Sequence, residues 1–166
     1  MLERLRQVAF LVKDLEEGKE LYRRHLGMET CHSEDLSNYG LLNAVLPAGA
    51  GTFIELLQPT SDDSAAARYL ERRGEAPYML IFETSEYDRL IPHLKSMGVR
   101  LSEGPATGDY RHSFVHPSSA NGALLEIIEV TDGENPWPPA GPDWQTLEHQ
   151  PLTKQIRQMA VLVRDL

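Results

Sequence analysis

The chain has 166 residues, 41% of them hydrophobic, enough for one domain that buries about 70% of its unfolded surface. Its 25 acidic against 16 basic residues leave a net charge of -9, a field that repels nucleic acid and anionic membrane, so neither is expected as a partner. A single cysteine, Cys31, excludes an internal disulfide, and Met1-Leu2-Glu3-Arg4 opens no apolar stretch of signal or membrane length, so a cytoplasmic location is expected.

Residues Leu5 to Val12 are apolar and β-branched, which predicts a strand. Asp14 follows as an N-cap with Glu17 three positions on, so a helix begins there. Leu15, Leu21, Tyr22 and Leu26 fall near one helical face, and Gly27 ends the helix. Strands are expected at Met28 to His32, Gly40 to Leu46 and Gly51 to Gln58, between turns rich in Asn, Gly and Pro. A short helix is expected from Ser61 to Arg73, closed by Gly74.

The pattern then restarts, with a strand at Pro77 to Thr84, a helix at Ser85 to Met97 containing Pro92 and closed by Gly98, and strands at Tyr110 to His116 and Ala123 to Val130. A shift of 72 residues lays Gln7–Val12 on Met79–Thr84, and a shift of 71 lays Thr52–Glu55 on Ala123–Glu126. The expected fold is therefore α+β, with paired βαβββ units at about 5–59 and 76–130 forming a domain over 1–130, their mixed sheets cupping a shared cleft for a small-molecule ligand.

Residues 131–155 hold Pro136, Pro138, Pro139, Pro142 and Pro151 with Trp137 and Trp144, which reads as a semi-rigid linker packed by its aromatics. Residues 156–166 then repeat Leu5–Leu15 with seven identities in eleven positions, the first strand of what reads as a third unit. Either the chain is part of a longer one or Ile156–Val163 adds to a sheet edge, in one version that of a second copy in a homodimer.

Several blocks resemble methylmalonyl-CoA epimerase and the wider vicinal oxygen chelate (glyoxalase, bleomycin resistance and dioxygenase) superfamily. They are Val8–Leu15, Phe53–Pro59, Tyr69–Glu75, Met97–Leu101, Phe114–Pro117 and Gly122–Glu129, which occur in family order. The resemblance implies a divalent metal held by one residue near the start of each unit's first strand, usually histidine, and one near the end of each unit's last strand. Those positions are Gln7, Met79, Glu55 and Glu126 here, so both carboxylates match and both histidines are replaced. Methionine is a soft ligand ill suited to hard or borderline ions, which leaves Gln7, Glu55 and Glu126 as the metal candidates and makes the metal itself doubtful.

Glu55 and Glu126 each interrupt an apolar strand, sharing a face with Phe53 and Leu57 or with Leu124 and Ile128. Buried acids need partners. They are either catalytic acid/base groups and ligands, or structural carboxylates hydrogen-bonded to neighbours such as Gln7. His112 and His116, on a face with Tyr110 and Phe114, are read as structural, as are Met79, Tyr78 and the lone thiol of Cys31. Arg72, Arg73 and Arg111 stand either as phosphate contacts or as solvated cations.

Two functions of different class follow. One is a metal-assisted isomerase or lyase on a carbonyl or acyl-CoA type of small molecule, in which a carboxylate removes a proton next to a carbonyl. The other is a metal-free small-molecule-binding protein of the bleomycin-resistance type.

Overall fold

The computed structural model describes residues 1–131, 133–148 and 150–162. It has an α+β architecture whose elements, in chain order, are β1 (Leu2–Leu11), α1 (Leu15–Leu26), β2 (His32–Leu36), β3 (Leu41–Gly49), β4 (Thr52–Pro59), α2 (Ala65–Arg73), β5 (Ala76–Thr84), α3 (Tyr87–Ser96), β6 (Leu101–Glu103), β7 (Tyr110–Val115) and β8 (Leu124–Val130). The chain divides into two compact units. Among the described residues, the first comprises those within 7–78 and 139–156, and the second those within 1–6, 79–138 and 157–162. Among the described residues no helix is long and apolar enough to cross a membrane.

In the first unit β4 pairs in parallel with β1 and antiparallel with β3, and β3 pairs antiparallel with β2, giving the order β2-β3-β4-β1. The parallel β1–β4 pair requires a crossover, and α1 begins it. The Asp14 side chain accepts the Glu17 backbone N–H at 2.9 Å, acids occupy the first turn and Arg23, Arg24 and His25 the last. Gly27 closes the helix at φ 65°, a left-handed conformation that a side chain would penalise. The helix lays Leu15, Tyr22 and Leu26 on a core of Val12, Met28, Ala44, Leu46, Ala48, Ile54 and Leu56. Leu21 departs from the expected face: it is 49% exposed, because Leu15, Gly18, Tyr22 and Leu26 follow the helical period and Leu21 falls beside it.

Two other boundaries differ from the sequence reading. The strand expected at Met28–His32 lies at His32–Leu36 instead. Met28 is spent filling the core just after the helix cap, and pairing with β3 starts only as Cys31 N–H reaches Val45 O at 2.9 Å. The helix expected from Ser61 begins at Ala65, where the Ser64 side chain accepts the Ala67 N–H at 3.0 Å.

The second unit repeats the arrangement. β8 pairs in parallel with β5 and antiparallel with β7, and β7 pairs with β6, giving β5-β8-β7-β6. β6, three residues long, was not apparent from the pattern of residues. α3 packs Tyr87 and Ile91 against Val115 and Ile127, and it carries Pro92 in its interior, where the Asp88 carbonyl loses its intrahelical donor. Arg111 donates to both Asp88 oxygens, at 2.7 and 2.8 Å, and to Glu129, and it lies over the Tyr87 ring at 4.6 Å. That guanidinium is thereby held by two carboxylates and an aromatic ring within the second unit.

The proline-rich segment packs by its aromatics as expected. Trp137 is fully buried in the second unit with the Arg6 guanidinium 4.5 Å from its ring centre, and Trp144 meets Phe53 edge-on at 5.1 Å in the first. Arg6, only 2% exposed, also reaches the Pro136 carbonyl and Glu83. Burial pulls its pKa down to about 10 against the opposing pull of Glu83, so it remains charged at neutral pH.

Of the segment expected to add as a strand over Ile156–Val163, residues 156–162 are described, within a single chain. Residues 156–162 form no strand. Instead Ile156 joins the first unit's core and its N–H donates to Thr52 Oγ1 at 2.8 Å, while Thr153 Oγ1 donates to Ala48 O. Residues 163–166 of the repeated segment lie outside the described residues. Within one chain, β1 already occupies the place beside β4 that the repeated sequence suits.

Replacing Trp137 by alanine removes the largest fully buried side chain and uncovers a buried cation. A loss of about 3–5 kcal/mol is expected, read as the urea midpoint shift with an unchanged slope.

Candidate functional site

Each unit buries one carboxylate in the last strand of its parallel pair, and the registers are identical. In the first unit Ala9 is opposite Glu55 on β1 and Val45 is opposite it on β3, which places Gln7 and Asn43 diagonally on its two sides. In the second unit Ile81 and Phe114 are opposite Glu126, which places Met79 and His112 at the same two diagonals. Glu55, Gln7, Asn43, Glu126 and His112 are all buried.

The flanking chemistry separates the two sites. Gln7 Nε2 donates to Glu55 Oε2 at 3.0 Å, and Asn43 Nδ2 donates to Glu55 Oε1 at 3.0 Å. Turning either amide over would set its oxygen against a carboxylate oxygen, so the nitrogens must face Glu55. Asn43 is in turn fixed because its Oδ1 accepts the Glu34 N–H at 2.8 Å. Glu55 thus has a donor at each oxygen.

At Glu126 the imidazole Nδ1 of His112 lies 2.7 Å from Oε1. A proton must lie between them, and with Glu126 as carboxylate it belongs to Nδ1. Met79, where the first unit has Gln7, has a thioether with nothing to donate. Glu126 Oε2 accordingly makes no hydrogen bond among the described residues. The same is true of the buried His112 Nε2. The imidazole stands between the rings of Tyr110 and Phe114, whose centres are 5.6 and 5.1 Å away.

The sequence-derived candidates therefore divide. Gln7 and Glu55 meet in the first unit, while Glu126 belongs to the second and is bonded to His112, which the sequence reading had set aside as structural. Asn43 was not singled out at all; only its place two residues from the position opposite Glu55 marks it. Around Glu55 the donor set is that of an anion held by amides. A divalent ion needs the oxygen lone pairs that Gln7 and Asn43 fill with N–H groups, and neither an amide nitrogen nor the Met79 thioether suits such an ion.

Of the remaining candidates, His116 and Tyr78 are held by neighbouring groups. His116 Nδ1 accepts the Ser118 N–H and shapes the turn after β7, and Tyr78 stacks edge-on with Tyr69 at 5.3 Å. Arg72 and Arg73 are exposed at the end of α2. Burial raises the Cys31 thiol to about 12, which leaves it unreactive at neutral pH.

Comparison with known proteins identifies the family and the fold. Residues 4–127 match the model of the Glyoxalase/Bleomycin resistance protein/Dioxygenase superfamily. The chain is 31% identical over 135 residues to the ethylmalonyl-CoA/methylmalonyl-CoA epimerase of Cereibacter sphaeroides, covering 78% of this chain and 100% of that protein. The crystal structure of methylmalonyl-CoA epimerase from Mycobacterium tuberculosis superposes with a TM-score of 0.72 at 32% identity, covering 79% of this chain and 90% of that one. A variant of the Streptomyces coelicolor methylmalonyl-CoA epimerase in complex with 2-nitronate-propionyl-CoA does so with a TM-score of 0.72 at 28% identity, over 82% of this chain and 100% of that one.

Replacing Asn43 by leucine removes one donor from Glu55 and leaves a buried carboxylate oxygen short of a partner. A destabilisation of about 1–3 kcal/mol is expected in urea titration, and pairing it with Glu55→Leu in a double-mutant cycle should show strong coupling.

Proposed function

Because the chain belongs to the Glyoxalase/Bleomycin resistance protein/Dioxygenase superfamily, we propose that it is an epimerase-like isomerase acting on a carbonyl or acyl-CoA type of small molecule. Glu126 is the group that takes a proton from the carbon next to the carbonyl and returns it. The observation that carries this reading is the inequality of the two buried carboxylates. Glu55 has a donor at each oxygen, whereas Glu126 has one oxygen held and one unengaged.

In this reading the substrate C–H bond breaks as an O–H bond forms at Glu126 Oε2, and the electron pair left on carbon runs into the adjacent carbonyl. The Nδ1–H···Oε1 bond persists throughout. Return of the proton by Glu126 to the face it came from completes the hydrogen exchange, and inversion follows when a water molecule protonates the planar carbon on the opposite face while Glu126 passes its own proton to solvent. Glu55 holds its negative charge in place and takes no proton. The steps above use this chain's own groups, and the N–H donors set around both carboxylates are a poor ligand set for a divalent ion.

A second reading has separate support. The amide clamp on Glu55 suits a polar site that binds without turnover, as in a metal-free binding protein of the bleomycin-resistance type.

Methylmalonyl-CoA incubated in deuterated buffer with the protein decides between them. Deuterium should enter at the carbon between the two carbonyl groups, and Glu126→Gln should slow its entry roughly 10²-fold or more. Thermal stabilisation by the same thioester without any incorporation would establish the binding reading and end the isomerase one.

A further inference from the structure

The parallel registers of the two units carry one step further, and that step rests on the proton-transfer reading of Glu126. We infer that His112 is the positioning residue of Glu126, and that its Nδ1–H serves at this carboxylate in place of the divalent metal that the family resemblance implies. Three observations support this. First, His112 Nδ1 holds Oε1 at 2.7 Å, with the pair 6% and 7% exposed, so the contact is removed from competing water. Second, the ring is built in: a Cβ on Gly104 would lie 1.7 Å from His112 Nε2 and 2.2 Å from Cδ2, so only glycine lets the imidazole seat there. Gly104 N–H also donates to the His112 carbonyl at 3.1 Å, which fixes the approach of the two segments.

Third, the departures from the metal-binding pattern match one another. In the second unit the usual histidine position is Met79, which neither donates nor suits such an ion, and an imidazole appears instead on the opposite side of Glu126, at the register position that Asn43 holds beside Glu55. A single donor on one side fixes the carboxylate's orientation and leaves Oε2 to exchange a proton. Charge on Glu126 is balanced locally by the N–H dipole, so a cation is not needed to hold it in a buried strand.

The experiment compares wild type, His112→Leu, His112→Asn and Gly104→Ala in the deuterium-exchange assay after exhaustive chelation, together with nitrogen-edited NMR of the histidine ring protons. Wild type should exchange equally well before and after chelation. His112→Leu should lower kcat at least tenfold with KM within twofold. His112→Asn, whose amide can present an N–H near the position of Nδ1, should recover most of that loss. Gly104→Ala displaces the ring by contact while leaving His112 and Glu126 themselves unsubstituted, and serves if His112→Leu fails to fold. Activity lost on chelation and restored by manganese or cobalt would overturn the inference, as would a His112→Leu protein exchanging at the wild-type rate.

The NMR arm stands apart from turnover. A strongly downfield Nδ1 proton in wild type, absent in Glu126→Gln and unchanged by one equivalent of manganese-free zinc or cobalt, upholds the pair even if no exchange is found and the isomerase reading fails. Its absence, or its displacement by a stoichiometric metal ion, overturns the inference by itself.

Discussion

Everything about the candidate site depends on one constraint: a carboxylate placed in the middle of a buried strand must find hydrogen-bond donors on the neighbouring strands. The sheet offers two such places, the diagonal positions on the strands to either side. Both units use them in the same register. What differs is the chemistry supplied there, two amides around Glu55 and an imidazole with a thioether around Glu126. The first combination puts a donor at each carboxylate oxygen, and the second leaves Glu126 Oε2 without a hydrogen bond among the described residues. One repeated register thus surrounds two buried carboxylates with unequal partners.

The scaffold itself was largely legible in the sequence. The shifts of 72 and 71 residues that align the halves correspond to the repeated parallel pairs β1–β4 and β5–β8. The Asp14 and Gly27 signals bound α1 as expected because capping is local chemistry. The misplaced elements are those whose pairing is decided by tertiary contact. β2, reading His-Ser-Glu-Asp-Leu, has no apolar alternation to mark it, and β6 is too short to show a period. The tail that repeats β1 so closely does not pair as a strand in the described residues, because β1 already holds the place beside β4 that this sequence suits.

The site was legible only in part, for a related reason. Glu55 and Glu126 stand out because they interrupt apolar runs, and Gln7 was correctly named as a neighbour of Glu55. Asn43 and His112 do not stand out, since a partner in a sheet is found by register across strands and not by spacing along one. His112 looked like a member of a stripe with Tyr110 and Phe114, and those rings do flank it. Its contact with Glu126 appears only when β7 is laid against β8, with Phe114 opposite the acid and His112 diagonal to it. The substitutions at the usual histidine positions then make sense in pairs, Gln7 acting with Asn43 and Met79 with His112.

The central claim is that the number of donors around a buried carboxylate decides whether it can exchange a proton. The most direct measurement is the deuterium-exchange rate of Met79→Gln, which by register places beside Glu126 the same donor that Gln7 places beside Glu55. A protein that folds as stably as wild type but exchanges at least tenfold more slowly is the predicted result. Exchange at the wild-type rate, with a second N–H in place at Glu126, would contradict it.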